Sequence, residues 1–162
     1  GLGISCDAME GLFLSELYKD RCLFLELARP SLCVAIPKTA QMASLSVVDG
    51  TMLHDLDLVL MKPGMSADYD AARAYLASLG ANRISDVPFY TMELFADCEL
   101  NNRAIVTIDI WEDIHPNLAC VPLAKQYSMP YGLIFASQPS PQAIRLYQVA
   151  QQMIDRCPAA KS

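Results

Sequence analysis

The sequence predicts an α/β fold built on a wound sheet, because short apolar runs alternate with helical stripes along the chain. Residues 57–61 are dense in Leu and Val without polar alternation, which is typical of a strand buried on both faces of a parallel sheet. After this run, Ala72, Tyr75, Leu76 and Leu79 recur at the spacing of an amphipathic helix. In such sheets ligands bind beyond the carboxyl ends of the strands, where helix N-termini also lie.

The other predicted elements continue this alternation, and several are bounded by capping residues. Ser66 and Gly80 are the predicted N-cap and C-terminal stop of the helix that follows residue 61. Ser140 is the predicted N-cap of the last helix, with Pro141 at its first position. Four apolar residues at helical spacing are expected to face inward on that helix: Leu146, Val149, Ala150 and Met153. Further strands are predicted at residues 24–27, 32–36, 87–90, 104–110, 118–123 and 131–137, with helical stretches at 47–53 and 92–100.

The composition indicates a packed chain that is unsuited to binding nucleic acid by itself. Its 162 residues are 53% hydrophobic and 19% charged, which excludes a disordered chain. The formal net charge of −6 repels a phosphate backbone. No apolar run reaches the roughly 18 residues of a membrane-spanning helix, and residues 1–7 lack the regions of a signal peptide. The six cysteines contain no Cys-x-x-Cys pair and are expected to be reduced, buried thiols of a cytoplasmic protein.

No catalytic residue, metal site or cofactor is predicted from the sequence. A Gly-x-Ser-x-Gly elbow and a Walker sequence are both lacking. Residues 109–115 contain three carboxylates, the only Trp and one of two His residues, which leaves a metal-assisted enzyme as an alternative. We favour Trp111 as the wall of a small-molecule site, because such sites combine aromatic side chains with a few polar groups.

The turn at residues 63–68 is a second candidate site. It follows a buried strand and opens a capped helix, so its backbone N–H groups could face a carboxylate or another anion. Asp68 and Asp70 already bring negative charge to the same helix end. Both a ligand site and an ordinary strand-to-helix turn therefore stay open for this segment.

Several segments, in their order along the chain, resemble the effector-binding domain of LysR-type transcription regulators. Residues 34–38, Val-Ala-Ile-Pro-Lys, resemble the family's strand that ends in Pro-Lys. Residues 45–50, Leu-Ser-Val-Val-Asp-Gly, are similar to its "Leu, then Asp-Leu-x-Gly" segment. Val-Pro-Leu at 121–123, the strand at 131–136 and Pro-Ser-Pro at 139–141 are similar to the family's closing strands and helix. The resemblance covers nearly all of the chain.

This resemblance implies two lobes of wound sheets, like those of type II periplasmic binding proteins, hinged by two crossing strands. Residues 31–121 would form a largely complete second lobe, and residues 1–30 and 122–162 a partial first lobe with the hinge. The opening residues match a strand internal to the family's domain. We therefore expect a domain truncated at its N-terminus, without the helix-turn-helix through which such regulators bind DNA.

The resemblance also implies where a small effector, anionic or neutral, contacts the chain. The implied ligand-binding residues are Ser5, Cys6, Pro63, Gly64, Met65, Ser66, Thr91, Asp109, Ile110 and Trp111. The expected role is ligand sensing in transcription control, without catalysis or membrane contact, in a homodimer or higher homo-oligomer. The alternative is a solute-binding protein of the same fold.

Overall fold

The chain divides into two compact units, which the computed structural model describes over residues 7–48, 53–113 and 115–156. The terminal unit comprises Gly1–Arg29 and Pro130–Ser162, and the central unit comprises Pro30–Met129. Each contains strands and helices, so the α/β class predicted from the sequence is confirmed. Within the three described ranges, none of the helices combines the length and the apolar character needed to cross a membrane.

The elements of the described ranges follow the predicted alternation. In chain order they are β1 (Ala8–Leu12), α1 (Ser15–Tyr18), β2 (Cys22–Ala28), β3 (Leu32–Pro37), β4 (Leu58–Met61), α2 (Ala67–Ser78), β5 (Ile84–Val87), α3 (Met92–Leu100), β6 (Ala104–Ile108), β7 (Leu118–Pro122), β8 (Tyr131–Ala136) and α4 (Pro141–Arg156), with 3₁₀ turns at Gln41–Ser44 and Asp109–Trp111.

The described residues of the terminal unit form a three-stranded antiparallel sheet in the order β1-β8-β2, with α4 packed against it. Leu25, Phe135 and Ala143 are its buried cluster, and the ring of Tyr147 meets the ring of Phe135 edge-on at 5.4 Å. Ser140 caps α4 as predicted, because its Oγ accepts the backbone N–H of Ala143 at 3.3 Å.

The inward face predicted for α4 is wrong for three of its four residues. Leu146, Val149 and Met153 are 47%, 54% and 65% exposed. Only Ala150 of the predicted set packs against the sheet, together with Ala143, Tyr147 and Ile154. These residues form a second apolar stripe at helical spacing, beside the predicted one. This second stripe is the one that faces the sheet, because its Tyr147 ring packs against Phe135 of β8.

The described residues of the central unit form a mixed five-stranded sheet in the order β5-β4-β6-β3-β7. β4 pairs in parallel with both β5 and β6, whereas β3 pairs antiparallel with both β6 and β7. All four residues of β4 are buried, which confirms the prediction of a strand covered on both faces. On α2, Ala72 and Leu76 of the predicted stripe are buried, together with Tyr69.

Three predicted boundaries differ from the structure. The strand expected at 104–110 ends at Ile108, where Asp109–Trp111 turns into a 3₁₀ turn. The strand expected at 87–90 lies three residues earlier, since Pro88 cannot donate to a strand ladder. In the helical stretch expected at 47–53, Val48 instead forms a bridge with Leu123, and residues 49–52 lie outside the described ranges.

Gly132 permits the close approach of β8 to β2. A Cβ at this position would lie 2.0 Å from the Leu25 carbonyl oxygen and 2.9 Å from the Leu27 nitrogen. Because both are backbone atoms, no side-chain rotation relieves the overlap. Gly11, its partner on the other neighbouring strand, has no atom within 4 Å of the equivalent Cβ position.

We expect Gly132→Ala to lower the free energy of unfolding by about 3 kcal/mol, as overpacking against backbone requires the strands to separate. Gly11→Ala is the matched control and should change this energy little, because open space surrounds its Cβ. Urea unfolding followed by circular dichroism measures both. Equal stability of the two variants would contradict the strand packing described for β8.

Candidate functional site

One edge of the central sheet gathers three of the predicted ligand segments. β5, β4 and β6 are adjacent and parallel, so their carboxyl ends share this edge. The loops that follow them, residues 62–66, 88–91 and 109–111, define what we call the strand-end edge. Ser5 and Cys6, the remaining predicted residues, lie outside the described ranges.

The turn after β4 is already occupied by a carboxylate of its own helix. The backbone N–H of Gly64, at φ +80°, donates to both carboxylate oxygens of Asp70 at 3.0 and 3.2 Å. Met65 and Ser66 are buried, and the Ser66 hydroxyl donates to the Met129 sulfur at 3.7 Å instead of capping α2. Of the four predicted ligand residues in this turn, only Pro63 and Gly64 are exposed. An incoming anion would therefore compete with Asp70 for the turn.

Thr91 caps the helix that follows β5. Its Oγ1 accepts the backbone N–H of Leu94 at 3.2 Å. The backbone N–H of Glu93 and then the Thr91 hydroxyl lower the pKa of the Glu93 carboxyl. Thr91 itself is exposed, so its hydroxyl remains accessible at the strand-end edge.

Two tyrosines, buried Tyr69 and half-buried Tyr90, hold these two loops on β6. Tyr69 of α2 and Tyr90, directly before Thr91, both donate to the Val106 carbonyl oxygen, Tyr69 at 2.7 Å, and their hydroxyls contact each other. Burial raises the pKa of both phenols, so both remain protonated donors at neutral pH. The start of α3 is thereby positioned by a hydrogen bond to the same strand that carries Asp109 and Trp111 at its end.

The segment after β6 presents an aromatic side chain on a fixed backbone. Asp109 exchanges two hydrogen bonds with Ser31: its N–H donates to the Ser31 carbonyl at 2.9 Å, and its Oδ1 accepts the Ser31 N–H at 3.2 Å. Trp111 is half-buried and packs on the apolar cluster that Tyr90 also contacts. Ile110 is 49% exposed beside it. Trp111 and the start of α3 therefore flank one apolar surface.

Three polar or thiol side chains near this edge belong to no motif from which the sequence could have predicted a site: Thr107, Cys33 and Cys120. Thr107 is 1% exposed, and its hydroxyl has no hydrogen-bond partner in the structure. It lies opposite Cys33, which is the diagonal neighbour of Cys120 on β7. The four cysteines in the described ranges are free thiols, two buried and two half-buried. Only strand register brings Thr107, Cys33 and Cys120 together.

The residues suggested for the metal-assisted alternative do not converge. His115 Nε2 lies 3.5 Å from Glu99 Oε2, and so pairs with α3 instead of Asp109. Asp109 is engaged with Ser31, and Glu112 is exposed. Within residues 7–48, 53–113 and 115–156, no group of three His, Cys, Asp or Glu side chains has the geometry to hold a metal ion.

Neither a protein-family model nor a curated protein matches the chain, but solved structures do. CbnR, a LysR family transcriptional regulator, aligns with a TM-score of 0.65 and 14% identity over 96% of this chain and 53% of CbnR. The effector-binding domain of QuiR in complex with shikimate aligns at 0.61 and 12% identity over 85% of this chain and 68% of that domain. CbnR in complex with its target DNA aligns at 0.53 and 15% identity over 76% of this chain and 44% of that chain.

These comparisons establish the fold. The chain has the two-lobed LysR effector-domain fold that the sequence motifs predicted, and these structural neighbours are transcription regulators. It spans about half of the length of CbnR.

We expect Asp70→Ala to destabilise the chain by about 1 kcal/mol, because it removes the carboxylate bound to the Gly64 N–H and a favourable charge at the start of α2. Asp68→Ala, in the same helical turn but exposed, is the control and should cost about half as much, through the helix dipole alone. Urea unfolding measures both, and equal costs would contradict a specific role for Asp70.

A second expectation concerns the cap of α3. In Thr91→Ala the pKa of the Glu93 carboxyl should rise towards its ordinary value, whereas Thr91→Ser should keep it low. Because folding lowers the pKa of the Glu93 carboxyl, its ionised form stabilises the folded chain at pH values above the pKa of the unfolded chain. This stabilisation is lost as the pH falls through the pKa of the folded chain. Carboxyl ¹³C NMR titration measures this pKa, and equal values in both variants would contradict the hydrogen bond.

Proposed function

We propose that this chain is the ligand-sensing part of a LysR-type transcription regulator of the cytoplasm, and that the strand-end edge holds a small effector. The observation that carries the proposal is the convergence of Thr91 and Trp111 at the carboxyl ends of parallel strands. The QuiR effector-binding domain, which shares this fold, has been solved with shikimate bound. The regulator role is supported by the LysR family neighbours.

The two helix N-termini of the edge differ in what they offer a ligand. At α2, Asp70 binds the Gly64 N–H and two of the four turn residues are buried. At α3, the Thr91 hydroxyl is exposed, and the half-buried Trp111 lies on the shared apolar cluster. We therefore place the main polar and aromatic contacts of the effector on Thr91 and Trp111, with exposed Ile110 adding apolar contact.

The charge of the edge bears on the effector's chemistry. Asp70, Glu93 and Asp109 are acidic. Lys62 is exposed in the loop after β4, whereas Arg73, on the Met61 carbonyl at the end of β4, is paired with Asp86. A carboxylate effector would need Lys62 as its partner, while a neutral molecule with hydroxyl groups would need only the Thr91 hydroxyl and the Trp111 ring. Ligand pairs that differ only in this charge separate the two cases.

DNA binding in this proposal belongs to an N-terminal helix-turn-helix outside the present sequence. The net charge of −6 disfavours direct contact of this chain with phosphate groups. CbnR, one of the structural neighbours, has been solved in complex with its target DNA. Self-association into a homodimer, which the family resemblance implies, completes the proposed regulator.

Effector binding should be visible in this chain through Trp111, its only tryptophan. The chain is screened with aromatic and aliphatic carboxylates and their neutral amides, by tryptophan fluorescence and thermal shift. A ligand present at 100 times its Kd should stabilise the folded state by about 2.7 kcal/mol. A library that changes neither signal would count against a carboxylate or amide effector.

Thr91→Ala should raise the Kd of any such ligand about fivefold to tenfold, as expected for one lost hydrogen bond. Ser140→Ala is the matched control: it removes a helix cap of the same kind in the terminal unit and should leave the Kd unchanged. If both variants bind equally well, the effector does not contact Thr91.

A further inference from the structure

The hydroxyl of Thr107 is buried in the central unit without a hydrogen-bond partner. Thr107 lies on β6 and is 1% exposed, and its Oγ1 finds no partner among the described residues. An unpaired buried hydroxyl destabilises the folded chain, whereas a valine of the same shape would avoid this cost. Packing of the sheet therefore does not account for a hydroxyl at this position.

Thr107 shares one face of the sheet with the apolar cluster on which Trp111 packs. Ile105 belongs to that cluster, and side chains two residues apart on a strand point to the same face. Thr107 is two residues closer than Ile105 to the end of β6, where the turn that carries Trp111 begins. Its hydroxyl therefore lies between the buried cluster and the strand-end edge.

The residues beside Thr107 on this face are incompletely covered. Cys33 lies directly opposite it on β3, and half-buried Cys120 of β7 is the diagonal neighbour of Cys33. Tyr90 and Trp111, which pack on the same cluster, are also half-buried, and both belong to loops of the strand-end edge. The thin cover over Thr107 is thus on the side from which a ligand of the strand-end edge approaches.

We propose that Thr107 is a specificity-determining residue of the effector site, and that the effector is a neutral molecule with an alcohol or phenol hydroxyl. The apolar body of the ligand packs on Trp111 and Ile110, and its hydroxyl bonds to the Thr107 hydroxyl below them. Thr91 then provides the exposed polar contact and Thr107 the buried one. Entry requires the half-buried Trp111 ring to move outwards. This inference rests on the proposed function, because it uses the same edge of the sheet.

The charges near Thr107 favour a neutral hydroxyl over a carboxylate. None of the described residues that form this cluster or pack against it is a cation. Asp109, Glu112 and Asp113 are acidic side chains of the segment after β6, and Lys62 is exposed outside the cluster. A carboxylate at Thr107 would be buried without a positive partner, whereas a neutral hydroxyl exchanges a hydrogen bond with water for one with Thr107.

Three small probes of similar shape test the site in the unmodified chain. Benzyl alcohol carries a neutral hydroxyl, benzoate carries a carboxylate in its place, and toluene has no polar group. The threonine methyl groups are labelled with ¹³C and followed by NMR during each titration. Benzyl alcohol should shift the Thr107 methyl resonance and bind about tenfold more tightly than benzoate or toluene. Thr39, exposed beyond the other end of β3, is the internal control and should not shift.

Two variants separate the hydroxyl of Thr107 from its role in packing. Thr107→Val keeps the shape but removes the unpaired hydroxyl, so it should raise the melting temperature and raise the Kd of benzyl alcohol about fivefold to tenfold. Thr107→Ser keeps the hydroxyl and loses a buried methyl group, so it should lower the melting temperature and retain the Kd. Trp111 fluorescence measures the Kd in both variants. A residue that acts only in packing would not raise stability and weaken binding in one variant.

Three results would overturn this inference. The first is a Thr107 methyl resonance that none of the probes shifts, which needs no variant to fold. The second is benzoate binding as tightly as benzyl alcohol, and the third is an unchanged Kd in folded Thr107→Val. A carboxylate or amide that shifts the Thr91 methyl but not the Thr107 methyl would also overturn it, while leaving the proposed effector edge in place.

Discussion

The antiparallel pairing of β3 with β6 is the interaction on which the central unit depends. β6 is parallel to β4 on one side and antiparallel to β3 on the other, in a register that runs from Leu32 opposite Ile108 to Ala35 opposite Ile105. Because β3 runs antiparallel to β6, its amino end lies at the same edge of the sheet as the carboxyl ends of β4, β5 and β6. The two hydrogen bonds between Asp109 and Ser31 continue the ladder past Ile108 and fix the loop that carries Trp111.

Burial stabilises this pairing, and the buried polar groups around it are mostly satisfied. All six residues of β3 and all five of β6 are buried, which removes a large apolar area from water. Tyr69 and Tyr90 satisfy the Val106 carbonyl from the layer above. Thr107 is an exception, since its buried hydroxyl has no partner, which costs about 1–3 kcal/mol. It lies directly opposite Cys33 of β3.

The sequence by itself determined the α/β class, the doubly buried strand β4, the bounds of α3 and the cap of α4. These features follow from periodicity and from hydrogen bonds between residues close in sequence. The tertiary structure alone decided which apolar stripe of α4 is buried, that β6 stops at Ile108, that Asp70 occupies the Gly64 turn, and that Cys33 and Cys120 are diagonal neighbours. The neighbouring positions of Cys33 and Cys120 depend on the register between strands that are distant in sequence. Which stripe of α4 is buried depends on the sheet against which the helix packs. A local sequence pattern contains neither.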